Sequence, residues 1–351
     1  MRHFPQLASA VQRNCDISDA RHAGDYGLCT FLLKMREFYR WENELPFART
    51  LPKDRLGEWL TVREQLWEGI ESDEFVPLPL TNGEGDPFEA DAANRALLPH
   101  GYVYSAGYGR LGKPMFFLGA LSRVEKRSGF TVLVSSCEYA RELAAPPAML
   151  QGRTIFLRQE SLRRYLWEKV EEWQWRKLDN AMGRALANYG FAADPEAALQ
   201  RMADNEAETM ILHEVGEAMA GELLGDAWHE RVVSGVSPRR EPLVRAVRDL
   251  LADCLSTLPG LLQGPNLAAL HFYFATFDAP RRPLFPEAAQ AYEQFVSTGS
   301  LDRLSQVARE GTARWLGMAR GWLALDPIAL ETALQGLLGD DDAGPGGGSA
   351  G

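Results

Sequence analysis

The chain has 351 residues, of which 46% are apolar and 24% are charged. This composition is typical of a globular protein with one large domain or two smaller ones. The formal net charge of -11 argues against a nucleic-acid or anionic-membrane surface, because both need a basic footprint on the protein. We expect a small molecule or a peptide as substrate, with cations or other proteins as further partners.

The amino-terminal segment lacks the continuous apolar core of a secretory signal, and no segment stays apolar over the length of a membrane span. The four cysteines, Cys15, Cys29, Cys137 and Cys254, are scattered and form no CxxC pair, which is typical of reduced thiols. These features predict a cytoplasmic protein.

Residues 1–100 form a predicted helical region. Apolar residues recur three and four positions apart over 56–70, and residues 29–45 have the same character with many aromatic and charged side chains. Residues 80–100 are rich in Gly, Asn, Asp and Pro, which predicts a loop or a domain junction.

Residues 101–158 change to a strand pattern. The segments GYVYSA, MFFLGALSRVE, FTVLVSS and RTIFLR are β-branched and apolar, and the KRSG turn between the second and third predicts a hairpin. Gly107, Gly109 and Gly112 form a GxGxxG string. Because Pro114 and a strand follow where a dinucleotide site needs a helix, we predict a turn between strands.

Residues 159–338 form a predicted helical region, beginning with one long helix over 159–187. The next helix is predicted to start at Pro195 with Asp194 as its cap and to end at Leu224-Gly225. Further helices are predicted over 241–258, 288–297, 300–320 and 327–338. The tail, 339–351, is predicted to be disordered. The predicted fold class is therefore α+β, mostly helical with a small antiparallel sheet in the middle of the chain.

The clearest chemical signal is the segment ETMILHEVGEAMAGE, residues 208–222. On a helix Glu206, His213 and Glu217 share one face, and such a face is usually only solvated. However, residues 202–230 contain eight acidic residues and no Lys or Arg. Like charges one turn apart repel, so compensating positive charge is expected from a metal ion or from arginines on a neighbouring element.

The segment ILHEVGEAMAG resembles the active-site helix of the zincin metallopeptidases, whose pattern is HExxH, with Glu217 in the place of the second histidine. The resemblance implies that His213 is a metal ligand, that Glu217 is a carboxylate ligand, and that Glu214 is the general base that takes a proton from the metal-bound water. A set of one histidine and carboxylates suits a divalent ion such as zinc, iron or manganese.

Some zincins take a third ligand from an acidic residue on a downstream helix. Asp249 and Asp253 in RDLLADCL have the spacing of one helical turn, although Arg245 and Arg248 could pair with them instead. Glu206 and His271 are further candidate ligands, and the apolar surroundings of His271 also suit a core histidine. His229 is a weaker candidate.

Two other hypotheses remain open. A di-iron or other carboxylate–histidine metalloenzyme would use glutamates on long helices, such as Glu37, Glu42, Glu168, Glu171 and Glu172, but no Glu-x-x-His occurs. A non-catalytic interaction protein would use the aromatic and charged helix over 35–44, a composition shared by interfaces and by packed helices. We rank a metal-dependent hydrolase site on the HEVGE helix first.

Overall fold

The computed structural model describes residues 4–337, apart from 82, 110, 111, 176, 177, 234, 238 and 265 and the side chains of 229 and 231. The predicted disordered tail, 339–351, lies outside these residues. The described residues fall into two compact units. The first contains those of 1–176 with those of 190–207, and the second contains those of 177–189 with those of 208–351.

The first unit begins with four helices. They are α1 (Phe4–His22), α2 (Leu28–Glu42), α3 (Lys53–Glu68) and α4 (Ala90–Leu97). The first three share an apolar cluster that includes Ile17, Phe38 and Trp67. The predicted loop over 80–100 is wrong: β1 (Leu78–Leu80) pairs with β2 (Gly83–Gly85), and α4 follows. Because turn residues are common in this segment, its composition alone does not predict these short elements.

A five-stranded sheet follows. Its strands are β3 (Tyr102–Tyr108), β4 (Pro114–Arg127), β5 (Phe130–Arg141), β6 (Ala148–Gln151) and β7 (Thr154–Arg158), in the spatial order β3-β4-β5-β7-β6. The predicted hairpin is confirmed by the antiparallel pairing of β4 with β5. The predicted turn is confirmed at Gly109 and Gly112, which lie between the paired strands β3 and β4, but it is wrong at Gly107, which belongs to β3 and pairs with Met115.

The prediction of a small antiparallel sheet is wrong. The sheet is curled and mixed, and it is accompanied by the two-stranded sheet of β1 and β2. Strand β7 lies parallel to β5, while β6 pairs antiparallel with the other side of β7. Strand β6 is short and has no alternating pattern, so local periodicity does not predict it. The parallel pairing of β5 with β7 depends on packing between distant parts of the chain, so local periodicity does not predict that pairing.

Helix α1 packs on one face of this sheet, where Leu7 and Val11 join a buried cluster with Tyr104 and Phe116. The alternate side chains of the strands form a second cluster on the opposite face, which includes Phe117 and Phe156. The alternation follows from the two-residue repeat of a strand.

The predicted single helix over 159–187 is wrong. Helix α5 (Gln159–Gln174) ends before a break, and α6 (Ala181–Tyr189) begins after it. The Asn180 side chain accepts a hydrogen bond from the Gly183 N–H at 3.1 Å, which is the chemistry of a helix start. The two helices belong to different compact units.

The prediction for the HEVGE helix is confirmed at both ends. Helix α7 spans Pro195–Leu224. The Asp194 side chain accepts from the Ala197 N–H at 3.1 Å, and Gly225 has a left-handed φ of 70°, the conformation that commonly ends a helix.

Helix α8 (Glu241–Ala252) continues through a π-helical segment (Asp253–Thr257) into α9 (Leu258–Gln263). The predicted end at 258 is wrong, because the helical backbone continues through Leu258 and Pro259 into α9. The remaining helices are α10 (Leu267–Ala275), α11 (Arg281–Leu284), α12 (Pro286–Thr298), α13 (Asp302–Leu323) and α14 (Pro327–Gln335). They share a core around Leu251 and Trp315.

Among the helices of the described residues, none combines the length and the apolar character needed to cross a membrane.

Candidate metal centre

The site depends on a close approach between α7 and α8. A Cβ atom on Gly216 would lie 2.4 Å from the backbone oxygen of Ala252, so only glycine allows the two backbones to come this near. Gly216 stands between His213 and Glu217, and Ala252 precedes Asp253. The contact therefore places the polar face of α7 against the acidic face of α8.

Asp253 anchors the histidine. Its Oδ1 lies 3.0 Å from His213 Nδ1, and its Oδ2 accepts hydrogen bonds from the Tyr273 hydroxyl at 2.9 Å and from Arg281 at 3.1 Å. Burial raises the pKa of Asp253, but the hydrogen bond from His213 and the nearby cations outweigh it and lower the pKa. An ionised carboxylate only accepts, so the Nδ1 of His213 carries a proton.

The other nitrogen of His213 faces Glu217. Nε2 lies 3.5 Å from Glu217 Oε1, and Arg248 donates to Glu217 Oε2 at 2.7 Å. Asp249 completes a group of three residues whose potential ligand atoms lie within 4.8 Å of one another. A tetrahedral ion with bonds of 2.0–2.2 Å needs ligand atoms roughly 3.4 Å apart. A contraction of at most about 1.4 Å would therefore suffice, which side-chain rotation can provide.

The pKa values of the acids in this site are shifted in opposite directions. Burial raises the pKa of Glu214 to about 7 and that of Asp249 to about 6, and the charge of Glu217 adds to both shifts. For Glu217, burial is outweighed by the hydrogen bond with His213 and the charge of Arg248, which lower its pKa to about 2.

The pKa of His213 is raised well above its ordinary value. Burial lowers it, but the hydrogen bonds to Asp253 and Glu217 outweigh burial. Before a cation could use Nε2, a proton on that nitrogen would have to leave.

The predicted site residues divide into two sets. His213, Glu217 and Asp249 form the cluster, Asp253 supports it from behind, and Glu214 lies near enough for their charges to act on its pKa. The other two candidates lie elsewhere: Glu206 is buried on the part of α7 that belongs to the first unit, and His271 hydrogen-bonds the Tyr292 hydroxyl at 2.8 Å. The His229 side chain lies outside the described residues.

Sequence reasoning named Arg248 but missed Tyr273 and Arg281. Both contact Asp253 from 20 and 28 residues further along the chain, a distance that no helical periodicity connects. The expected positive charge is thus supplied at least in part by two arginines: Arg248 pairs with Glu217 and Arg281 with Asp253.

The glutamates considered for a di-iron centre are engaged with cations. Glu37 accepts from Arg36 and Arg40, Glu42 pairs with Arg63, Glu168 pairs with Arg164, Glu171 pairs with Arg36, and Glu172 pairs with Lys169. Over the described part of the chain, the potential metal ligands converge in one group, that of His213. Half of the residues over 35–44 are buried, namely Met35, Glu37, Phe38, Tyr39 and Arg40.

Comparison with known families gave two matches. The N-terminal domain model of a family of unknown function (DUF6866) matches residues 6–158, and the C-terminal domain model of the same family matches residues 163–335. Both domains of one family are matched in this chain. The matched C-terminal domain contains the whole cluster around His213. Comparisons with curated proteins and with solved structures gave no match.

Proposed function

We propose that α7 and α8 hold one divalent cation through His213 Nε2, Glu217 and Asp249. The observation that carries the proposal is that Glu217 and Asp249 lie close to His213, whose other ring nitrogen is hydrogen-bonded to a buried carboxylate. Such a carboxylate behind a metal-binding histidine fixes its tautomer and raises its basicity. The Asp253 side chain is 1% exposed, so the histidine is held firmly.

Asp249 gives this proposal independent support. Within the described residues its side chain has no hydrogen bond or ion pair, although it lies half-buried beside Glu217 and His213. An acid held against other acids without a partner costs free energy. A bound cation would remove that cost, and one histidine with two carboxylates suits manganese, iron or zinc.

We further propose that this site is hydrolytic. In that function the cation supplies Lewis-acid chemistry when bound, and Glu214 takes a proton from a nucleophilic water. A pKa of about 7 for Glu214 suits a general base at neutral pH, because such a group is partly ionised and still basic. The substrate would be a small molecule or a peptide.

The test is calorimetric titration of chelator-treated protein with Zn²⁺, Mn²⁺ and Fe²⁺. We expect stoichiometric binding of at least one of these ions by the wild type and its loss in Asp249→Asn. Asp226→Asn, which changes an exposed acid on the same unit, is the matched control and should bind as the wild type does. Equal binding by Asp249→Asn and the wild type, or no stoichiometric binding at all, would refute the proposal.

Glu214→Gln separates catalysis from metal retention. We expect it to bind the cation as the wild type does, because Glu214 is not one of the three ligands, while any peptidase or esterase turnover falls by about 10²- to 10⁴-fold. Loss of the cation from this variant would instead make Glu214 a ligand and exclude it as the base.

A further inference from the structure

The first compact unit contains a cavity of about 360 Å³ between the end of α2, the end of β5 and the start of α5. This volume lies in the range of pockets that bind small molecules. The buried residues Glu37, Arg40, Arg141 and Arg164 contribute to its wall, and the exposed residues Glu44 and Glu196 lie at its rim. The cavity is separate from the cluster around His213, and its residues belong to the other unit.

Arg141 is the unusual member of this wall. Its side chain is 2% exposed, yet its Nε and Nη2 atoms are buried without a hydrogen-bond partner. The third nitrogen, Nη1, lies 3.8 Å from Glu138 Oε2, beyond hydrogen-bonding distance. Buried guanidinium groups are normally paired and hydrogen-bonded, because leaving one unpaired is costly.

The neighbouring carboxylates are already used by other donors. Glu138 accepts two hydrogen bonds from Arg158 and two from Ser161, and Glu37 accepts from Arg36 and Arg40. Glu160 accepts from the Glu138 N–H at 2.7 Å. None of these carboxylates makes a hydrogen bond with Arg141 Nε or Nη2.

Two aromatic rings lie near the Arg141 guanidinium, but they do not supply the hydrogen-bond acceptors that its N–H groups lack. Its carbon lies 5.0 Å from the centre of the Trp41 ring and 5.6 Å from that of Phe38. A ring face attracts the charge but offers no lone pair to an N–H donor. Trp41 and Phe47 also line the cavity, so the wall that carries the arginines also has an apolar, planar part.

We propose that this cavity binds a small organic anion, a carboxylate or a phosphate monoester joined to a planar apolar group. The anionic oxygens accept hydrogen bonds from Arg141, and the half-buried Arg163 at the cavity wall adds a second positive charge. The planar group lies against Trp41 and Phe47. Charge-assisted hydrogen bonds from arginine are the usual means of recognising both kinds of anion.

Titration calorimetry on the full chain tests the proposal with phenyl phosphate and benzoate as probes, benzamide as the neutral analogue, and inorganic phosphate as the anion without a ring. We expect saturable binding of phenyl phosphate or benzoate at millimolar concentration and none of benzamide. Trp41→Ala should weaken binding of the aromatic anion while leaving that of inorganic phosphate unchanged.

Arg141→Met should weaken binding of the aromatic anion by at least about tenfold, the effect of losing one or two charge-assisted hydrogen bonds. The matched control is Arg95→Met, which makes the same change at an exposed position of the same unit and should bind as the wild type does. If Arg141→Met does not fold, Arg163→Met, at a half-exposed position, should weaken binding several-fold.

Three results would overturn the proposal. They are the absence of binding of every anionic probe, equal binding of benzamide and benzoate, and unchanged affinity in the folded arginine variants. Because the cluster around His213 is probed with metal ions and other variants, failure of one proposal leaves the other intact.

Discussion

At the scale of single residues, the ion pair between Arg248 and Glu217 competes with a bound cation for the same carboxylate. Arg248 donates to Glu217 Oε2 at 2.7 Å, and both side chains are partly exposed, so the pair itself adds little stability. Arg248→Met keeps much of the length of the side chain and removes its charge. We expect this variant to bind the divalent cation several-fold more tightly, as measured by titration calorimetry at low ionic strength.

Arg245→Met is the control for that prediction, since Arg245 lies on the same helix and pairs with Glu241 instead. It should change the affinity little. Weaker binding in Arg248→Met than in Arg245→Met would mean that Arg248 supports the cluster and does not compete with the cation.

Glu138 is a second residue whose charge has a measurable effect. Burial raises its pKa, but Arg158 and Arg141 outweigh burial and lower the pKa from 4.5 to about 2. A carboxyl group with a lowered pKa in the folded state contributes stability above its unfolded value, and this contribution is lost as the pH falls through the folded value. Glu138→Gln should therefore be less stable than the wild type near neutral pH, by roughly 3 kcal/mol.

The difference in unfolding free energy should shrink as the pH falls from about 4.5 to about 2. Urea unfolding at a series of pH values measures it. Glu84→Gln, at an exposed position, serves as the control and should stay within about 0.5 kcal/mol of the wild type. A difference for Glu138→Gln that stays constant over this range would contradict the lowered pKa.

At the scale of elements, the contact between α7 and α8 depends on Gly216. Its added Cβ would lie 2.4 Å from Ala252 O and 2.9 Å from Ala252 C, and backbone atoms cannot move aside as a side chain can. Gly216→Ala should cost about 1–3 kcal/mol in unfolding free energy and should weaken cation binding, because the helices must separate and the 3.0 Å contact between His213 and Asp253 must lengthen.

Gly221→Ala is a matched control on the same helix. A Cβ there would meet nothing within 4 Å, so the change should stabilise the protein by about 0.5–1 kcal/mol through helix propensity alone. Thermal and urea unfolding of both variants measure the pair. Equal effects of the two substitutions would show that the helices are not in close contact at Gly216.

Local chemistry explains which elements the sequence could predict. Asp194 and Gly225 mark the ends of α7 through a side-chain acceptor and a left-handed φ, which depend only on neighbouring residues. The parallel pairing of β5 with β7 and the continuation of α8 past residue 258 depend on distant contacts. The same division holds for the site: helical spacing places His213 beside Glu217, but the contact of Arg281 with Asp253 requires the folded chain.

At the scale of the whole molecule, the two compact units do not follow the boundary of the two matched family domains. The models of the two domains meet between residues 158 and 163. The first unit, however, also takes in α5 and residues 190–207. Ser161 and Leu162 of α5 are fully buried, and Ser161 hydrogen-bonds Glu138 at 2.6 Å. A fragment cut at residue 158 therefore loses part of its core.

We expect a fragment of residues 1–158 to be far less stable than a fragment of residues 1–207. Losing buried apolar side chains such as Leu162 and Leu166 costs about 1.5–3 kcal/mol each in burial alone. Circular dichroism melting and limited proteolysis compare the two fragments. A fragment of residues 1–158 that melts as cooperatively as the longer one, at a similar temperature, would show that the matched domain folds without α5.

The division of the chain also has a consequence for the order in which the protein is made. The first unit needs residues 190–207, and residues 177–189, which belong to the second unit, leave the ribosome before them. Domains of many proteins fold one after another during synthesis, beginning with the amino-terminal one. The first unit is therefore incomplete until translation has passed residue 207. Until residue 196 has been added, the cavity around Arg141 lacks Glu196 at its rim. By then α6 has emerged too, long before α10, the helix against which it packs.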